Sequence, residues 1–426
     1  MKVKDHVKSL LPEWRSEWRA LVKEHGDKKV SEVNVKAFFS GMRGVKIVPC
    51  DTSEVPPDKG MTVRGHMLKD IVARGTTPEE LFYLMITGEW PDEEGVADIK
   101  AQFNERSIVP DYVWAVLDAM PADAHPMNMF SMGILALERE SVFRKRYSEG
   151  MKKEDYWDAT LEDGMDVLAK LPAIAAYIYR KRFNKGPRIE PDPNEDWAGN
   201  YVHMMGLGGD TKTFKDLMRM YLVLHSDHEG GNVSAHTTAT VSSALSDMYY
   251  ALSAGMDGLA GPLHGLANQE CLGWVLSVVE KFNGVPSKKE LEKYAWDTLK
   301  SGKVIPGYGH AVLRVVDPRY EEFLKWGKAH IKNDPVFDTV AEVFEVVPEV
   351  LRQVRKISDP WPNVDAGSGA LLYHFGLKEF PYYTVLFGVS RALGVVSQAI
   401  EARAKGYPII RPKSIPTSKL KQIIGL

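Results

Sequence analysis

From Tyr383 to Ile400 the chain is mostly apolar, interrupted by Arg391 and Gln398. A membrane span needs about 20 mostly apolar residues, so this stretch reads as a buried helix of a soluble protein. Helical signals dominate elsewhere. Thr77-Pro78-Glu79-Glu80 offers an N-cap, a proline at the first helical position and an acid at the third, with Gly88 as the stop. Leu81, Phe82, Leu84 and Met85 are expected to pack one face between them. From Thr213 to His225, Phe214, Leu217, Met218, Tyr221 and Leu224 recur at helical spacing. The Ala- and Ser-rich segment Thr237–Gly255 suits close helix packing deep in a stack. Strand signals are confined to Val45–Cys50 and Met61–Val63, a short hairpin around Pro56-Pro57-Asp58-Lys59-Gly60. The expected class is all-α, with that minor β hairpin near the N-terminus.

At 426 residues the chain exceeds the roughly 250–300 residues that one core usually serves. Two domains are expected, a large one over 1–265 and 370–426 and a smaller helical one inserted over 266–369. The Pro-rich stretch Gly186–Asp196 reads as an exposed loop within the large domain. A formal net charge of -3 argues against a broadly basic nucleic-acid binder. Two cysteines, Cys50 and Cys271, exclude a disulfide framework and suit a reducing compartment. The opening Met1-Lys-Val-Lys-Asp-His lacks an apolar signal core, and acids arrive early for a mitochondrial presequence. A bacterial cytoplasmic protein is expected, the alternative being a mitochondrial matrix protein without its presequence.

Three Gly/Pro-rich loops each carry an ionisable side chain: His264 in Gly261–Gly265, His310 in Pro306–Ala311, and Asp365 in Trp361–Gly367. Glycine permits positive φ or close approach and proline fixes φ, so such loops hold shapes that ordinary sequence resists. Taken singly, Asp365 also reads as an Asx-turn residue and His264 as a structural histidine. Together, two histidines and an aspartate supply the groups that general acid–base chemistry needs. Arg391, inside the apolar helix, requires an anionic partner, either an internal carboxylate or a ligand. With Arg319 and Arg411 it would suit a substrate with more than one carboxylate. His225-Ser-Asp-His228-Glu229 allows three readings: a metal site, a structural pair, or contact with an anionic ligand. Gly206–Asp210 follows no hydrophobic strand and reads as a helix–helix turn rather than a phosphate loop.

Six stretches in order resemble citrate synthase in the form found in mitochondria and some bacteria. They are HSDHEGGNVSAHT from His225, GLAGPLHGLANQE from Gly258, PGYGHAVLRVVDPRY from Pro306, WPNVDAGSG from Trp361, YYTVLFGVSRALG from Tyr382 and RPKS from Arg411. The resemblance begins at Gly41-Met42-Arg43-Gly44 and spans nearly the whole chain. It implies condensation of acetyl-CoA with oxaloacetate and water to citrate and CoA, without metal or bound cofactor. It implies Asp365 as the base, His264 as donor to the thioester carbonyl and His310 as donor to the oxaloacetate ketone. His228, Arg319, Arg391 and, across a homodimer, Arg411 would hold the substrate oxygens. The segment Val304–Gly309, with Val304, Gly307 and Gly309, and Arg314 would line the CoA site. Arg43, Lys145, Lys356 and Asn363 would add CoA contacts. Two positions depart from the family: Gly367 stands where animal members often have histidine, and Lys145, flanked by Arg144 and Arg146, stands where an arginine meets a CoA phosphate. The same residues would serve a 2-methylcitrate synthase using propionyl-CoA. A metal-dependent hydrolase on His225, His228 and Glu229, or a non-catalytic helical scaffold, is the remoter expectation.

Overall fold

The computed structural model describes every residue except Ala311, Arg355, Lys356 and Ser358. Helices hold 64% of the chain and strands 2%, which makes the class all-α. The helix Tyr383–Lys405 runs through the middle, with 83% of its apolar window buried. It packs along the long helix Tyr156–Arg182 and against Pro78–Thr87, Thr211–Leu224 and the pair Val233–Ser243 and Met248–Leu259. The approach to the long helix is close because Gly164 faces Val396: a β-carbon on Gly164 would lie 2.9 Å from its Cγ1. Buried Leu386, Val389, Leu393, Val396 and Ile400 each contribute about 1.5–3 kcal/mol of transfer free energy.

Local signals explain the ends of these helices. Thr77 and Glu80 form the expected capping box, Pro78 opens the helix, and Gly88 closes it at φ 82°. Leu81 through Ile86 are all buried, so this helix is enclosed rather than packed on one face. Thr211–Leu224 begins at Asp210, whose side chain accepts from Thr213 N–H. The Ala/Ser-rich segment is two helices, not one. Leu245 adopts φ 67°, and Asp247 caps Met248–Leu259 by accepting from the Tyr249 and Tyr250 N–H groups.

The hairpin also differs from expectation. Its first strand is Ser53–Glu54, which pairs antiparallel with Thr62–Val63, and a third strand, His66–Met67, follows. Val45–Cys50 forms no strand, and Ile47 is 56% exposed, so the pleat has nothing to cover there. Small as it is, this sheet braces the loops that matter. Arg314 N–H donates to Pro57 O at 2.9 Å, and Gly60 packs on the Pro318 ring.

Within residues 266–369, the helices Ala267–Phe282, Lys288–Lys300 and Pro335–Arg352 gather a second apolar cluster around Val278, Leu291, Val347 and Leu351. Cys271, Leu272, Tyr320, Phe323 and Phe337 join the main core instead.

Candidate active site

The three chemistry-bearing loops are built by different means. His264 sits in the turn between Met248–Leu259 and Ala267–Phe282, where His264 N–H donates to Gly261 O at 3.0 Å. Glycine is required next to it: a β-carbon on Gly265 would lie 2.4 Å from Leu259 O and 2.7 Å from Thr384 Cγ2. Thr384 Oγ1 donates to Gly265 O at 3.1 Å and so pins the turn to the central helix.

The loops carrying His310 and Asp365 are sewn to each other. Gly309 N–H donates to Trp361 O at 2.8 Å, Asn363 N–H to Gly307 O at 2.9 Å, and Asn363 Nδ2 to Gly309 O at 3.0 Å. Asn363 Oδ1 accepts from Asp365 N–H at 3.0 Å. Gly307 adopts φ 80°, and a β-carbon there would lie 2.8 Å from Cys271 Sγ, so conformation and space both demand glycine. Asp365 is the first residue of the helix Asp365–His374, where the helix dipole favours a carboxylate.

Hydrogen bonding assigns the protons of both histidines. Val312 N–H and Leu313 N–H donate to His310 Nδ1 at 3.0 and 2.8 Å, which leaves the proton on Nε2. Ser234 N–H donates to His264 Nε2 at 3.3 Å, and Ser234 Oγ lies 3.0 Å from the same atom, which leaves the proton on Nδ1. Each ring is therefore a neutral donor. Burial lowers His264 and His310 to about 4, helped by Arg391 and Arg319 respectively. Burial pushes the Asp365 carboxyl the other way, up to about 6, against the pull of Arg319 and Arg391.

Two buried arginines organise the rest. Arg319, 3% exposed, makes a bidentate pair with Asp317: Nε to Oδ1 at 2.9 Å and Nη2 to Oδ2 at 2.6 Å. Arg391, 2% exposed, has neutral partners only among the described residues: Asn232 Oδ1 at 3.2 Å, His225 O at 3.4 Å and Ser234 Oγ at 3.5 Å. Its guanidinium stacks 4.9 Å from the Phe387 ring, which also meets His264 at 6.1 Å. Of the two partners considered for Arg391, the internal carboxylate is not in contact. Arg319 is felt by His228, His310 and Asp365, and Arg391 by His228, His264 and Asp365, so these four predicted groups lie within electrostatic reach of one pair of cations.

His225 ends the helix Thr211–Leu224, and His228 lies in the loop beyond it. The His228 and His310 rings are 5.4 Å apart, and His228 Nε2 is buried without a hydrogen-bond partner among the described residues. His225 points its Nδ1 at Tyr221 O, 3.0 Å away, and Glu229 accepts from Val55 N–H at 2.8 Å. These three do not converge, and among the described residues no group of three or more His, Cys, Asp or Glu is arranged to hold a metal.

Most of the remaining expected residues are exposed. Val304 is 77% exposed, and Arg43, Lys145 and Arg314 are exposed. Arg314 curls over its own loop, donating to Leu313 O at 2.6 Å. Arg144 pairs with Glu138 and Arg146 with Asp158, which distinguishes both from Lys145. Arg411 is exposed on the C-terminal tail, anchored where Ile410 N–H donates to Ser243 Oγ at 3.0 Å. Lys356 lies outside the described residues. At Gly367 a β-carbon would lie 3.2 Å from the Tyr320 ring, so this chain has filled with Tyr320 the space beside the helix. A cavity of about 860 Å³ opens elsewhere, between the first helix and the tail, and contains none of the residues expected in the site.

Sequence reasoning missed Asp317, Ser234, Asn232 and Phe387. Asp317 was detectable as an N-cap, since it precedes Pro318 and accepts from Arg319 N–H. No sequence signal marks Ser234, whose role depends on a contact 30 residues away.

A family model described as "Citrate synthase, C-terminal domain" matches residues 41–413. The peroxisomal citrate synthase of Saccharomyces cerevisiae is 48% identical over 99% of this chain and 93% of its own length. The mitochondrial citrate synthase of Xiphias gladius is 45% identical over 99% and 92%. Among solved structures, citrate synthase from Pyrobaculum aerophilum superposes with a TM-score of 0.79 at 27% identity, covering 92% of this chain and 98% of that one. The citrate synthase of Thermoplasma acidophilum, solved as a ternary complex with carboxymethyl coenzyme A and oxaloacetate, shares the fold at a TM-score of 0.75 and 24% identity, over 92% and 100%.

Proposed function

The chain belongs to the citrate synthase family, and from that premise we propose how its side chains divide the work. The protein condenses acetyl-CoA with oxaloacetate and water to citrate and CoA, an acyl transfer in which CoA is part of a substrate and no cofactor is used. Asp365 removes a methyl proton from the acetyl group. A carboxyl at about 6 is a stronger base than an ordinary carboxylate and is still ionised at neutral pH. A thioester methyl is nevertheless a weak carbon acid, so the enolate oxygen needs a donor. His264 offers its Nδ1–H, a contribution of about 3–4 kcal/mol for a well-placed donor. His310 presents Nε2–H to the ketone oxygen and protonates it as the carbon–carbon bond closes. Water then hydrolyses the citryl thioester and releases CoA.

The dicarboxylate is held by Arg319, Arg391 and the unpartnered His228 Nε2, with the partner subunit's Arg411 completing the site. Lys145, Arg43, Arg314 and the Val304–Gly309 rim receive CoA. Of the three neighbouring cations at 144–146, Lys145 is favoured, because both flanking arginines are already paired. A homodimer is supported by the outward-facing Arg411 and by exposed Val233 and Tyr250 on the Ala/Ser-rich helices. The second apolar cluster supports a small unit over 266–369 whose closure would exclude water. The relatives are mitochondrial and peroxisomal, and two free cysteines suit a reducing compartment, whether the bacterial cytoplasm or the mitochondrial matrix.

One observation carries this reading: two neutral histidine donors and a partly buried carboxylate share a pair of buried arginines, one of which has no internal counter-ion in contact among the described residues. Release of free thiol tests it. CoA should appear only when oxaloacetate and acetyl-CoA are both present, and activity should survive exhaustive chelation. Comparing kcat/KM for acetyl-CoA and propionyl-CoA tests the acyl preference, which one methylene shifts by about 1–3 kcal/mol.

A further inference from the structure

Asp227, between the two histidines of the 225–228 turn, is fully buried yet forms no ion pair among the described residues. Its Oδ1 accepts from Gln398 Nε2 at 2.7 Å, and its Oδ2 accepts from Thr52 Oγ1. A β-carbon on Gly394 would lie 2.6 Å from Oδ1, so the carboxylate rests directly on the central helix. Gly394 is three residues after Arg391, and Gln398 is four further on, which puts all three on one helix face. Arg391 likewise has only neutral contacts. Burial raises the Asp227 carboxyl and lowers the Arg391 guanidinium, and among neighbouring charges each is the one that most opposes that shift in the other.

A guanidinium that must receive a substrate carboxylate faces conflicting demands. It needs a compensating charge to remain ionised when buried, yet a direct salt bridge would occupy the donors that the substrate requires. We propose that Asp227 is a positioning residue of the dicarboxylate site, a counter-charge to Arg391 that makes no ion pair with it. It leaves the arginine's donors free and, by its own repulsion, loosens the grip on substrate and product. This rests on Arg391 being an oxaloacetate ligand.

Calorimetric binding of oxaloacetate and of citrate to the full-length protein tests it, with Asp227→Asn, Thr52→Val and Arg391→Leu beside the wild type. Asp227→Asn should bind both ligands about tenfold tighter. Thr52→Val removes a hydrogen bond to the same carboxylate but not its charge, and should bind as the wild type does. Unchanged or weaker binding by folded Asp227→Asn overturns the proposal, as does equal tightening in Thr52→Val. If Asp227→Asn does not fold, the double variant Asp227→Asn/Arg391→Leu decides. Mutual compensation predicts recovery of folding when both charges are removed. A double variant that also fails makes Asp227 a scaffold residue and overturns the proposal. An error in the underlying site assignment would show separately, as unchanged oxaloacetate affinity in Arg391→Leu.

Discussion

Arg319 and Arg391 are both buried, both near Asp365, and solve the problem of a buried cation in opposite ways. Arg319 is locked by three side-chain hydrogen bonds to Asp317, the N-cap of its own helix. Arg391 stands in an apolar helix with a ring, an amide, a hydroxyl and a carbonyl for company. Asp317 lifts the Arg319 guanidinium above its usual range, whereas burial and neighbouring Arg319 bring Arg391 down to about 10. The first arrangement holds a fixed positive wall. The second leaves donors unspoken for, which is what a ligand-binding cation requires.

Asp365, the carboxylate common to both arginines, gives the severest test. Asp365→Asn should lose about 10²–10⁴-fold in kcat while oxaloacetate still binds, as measured by steady-state kinetics and calorimetry. The same variant should be more stable than the wild type near pH 7, by up to about 3 kcal/mol in denaturant melts. The sign follows from a folded pKa above the unfolded one: the native protein binds the extra proton, so ionised Asp365 costs stability as pH rises from about 4 to about 6. The acid limb of kcat/KM should accordingly fall near pH 6. A limb near 4 would implicate the histidines instead.

Next in size is the contrast itself. Arg319→Leu strands Asp317 in the interior and should cost about 3–5 kcal/mol of stability. Arg391→Leu should weaken oxaloacetate binding by about 2–4 kcal/mol with a smaller loss of stability, because Asp227 keeps its hydrogen bonds from Gln398 and Thr52. Equal thermal destabilisation in the two variants would dissolve the distinction. The smallest effect is expected at Ser234, where Ser234→Ala removes the hydroxyl from both His264 and Arg391. About 0.5–1.5 kcal/mol, read as a few-fold rise in oxaloacetate KM and a similar fall in kcat, should result.

Elements whose ends are set locally were legible in the chain. Thr77, Pro78, Glu80 and Gly88 act on their own backbone, and the capping box was there to be read. The break at Leu245 was not, because a leucine at positive φ has no sequence signature and is stabilised by the caps around it. The hairpin was misplaced for a similar reason: Val45–Cys50 looks more strand-like than Ser53–Glu54, but pairing partners decide, and they lie across a turn. In the site, the glycine-bearing loops announced His264, His310 and Asp365. Their electrostatic setting did not, since Arg391 could not be known to lack a contacting carboxylate until residues 159 apart met at Asn232.

The sewing of Pro306–His310 to Trp361–Asp365 has a mechanical consequence. With three main-chain and side-chain stitches between them, proton donor and proton acceptor form one rigid cartridge. His264 is pinned separately, through Thr384 and Ser234. In the closure proposed for residues 266–369, opening would withdraw the cartridge from His264 rather than tear it apart. Asp365 would lose its enolate-stabilising companion the instant the jaws part, a safety catch against idle deprotonation of a costly thioester.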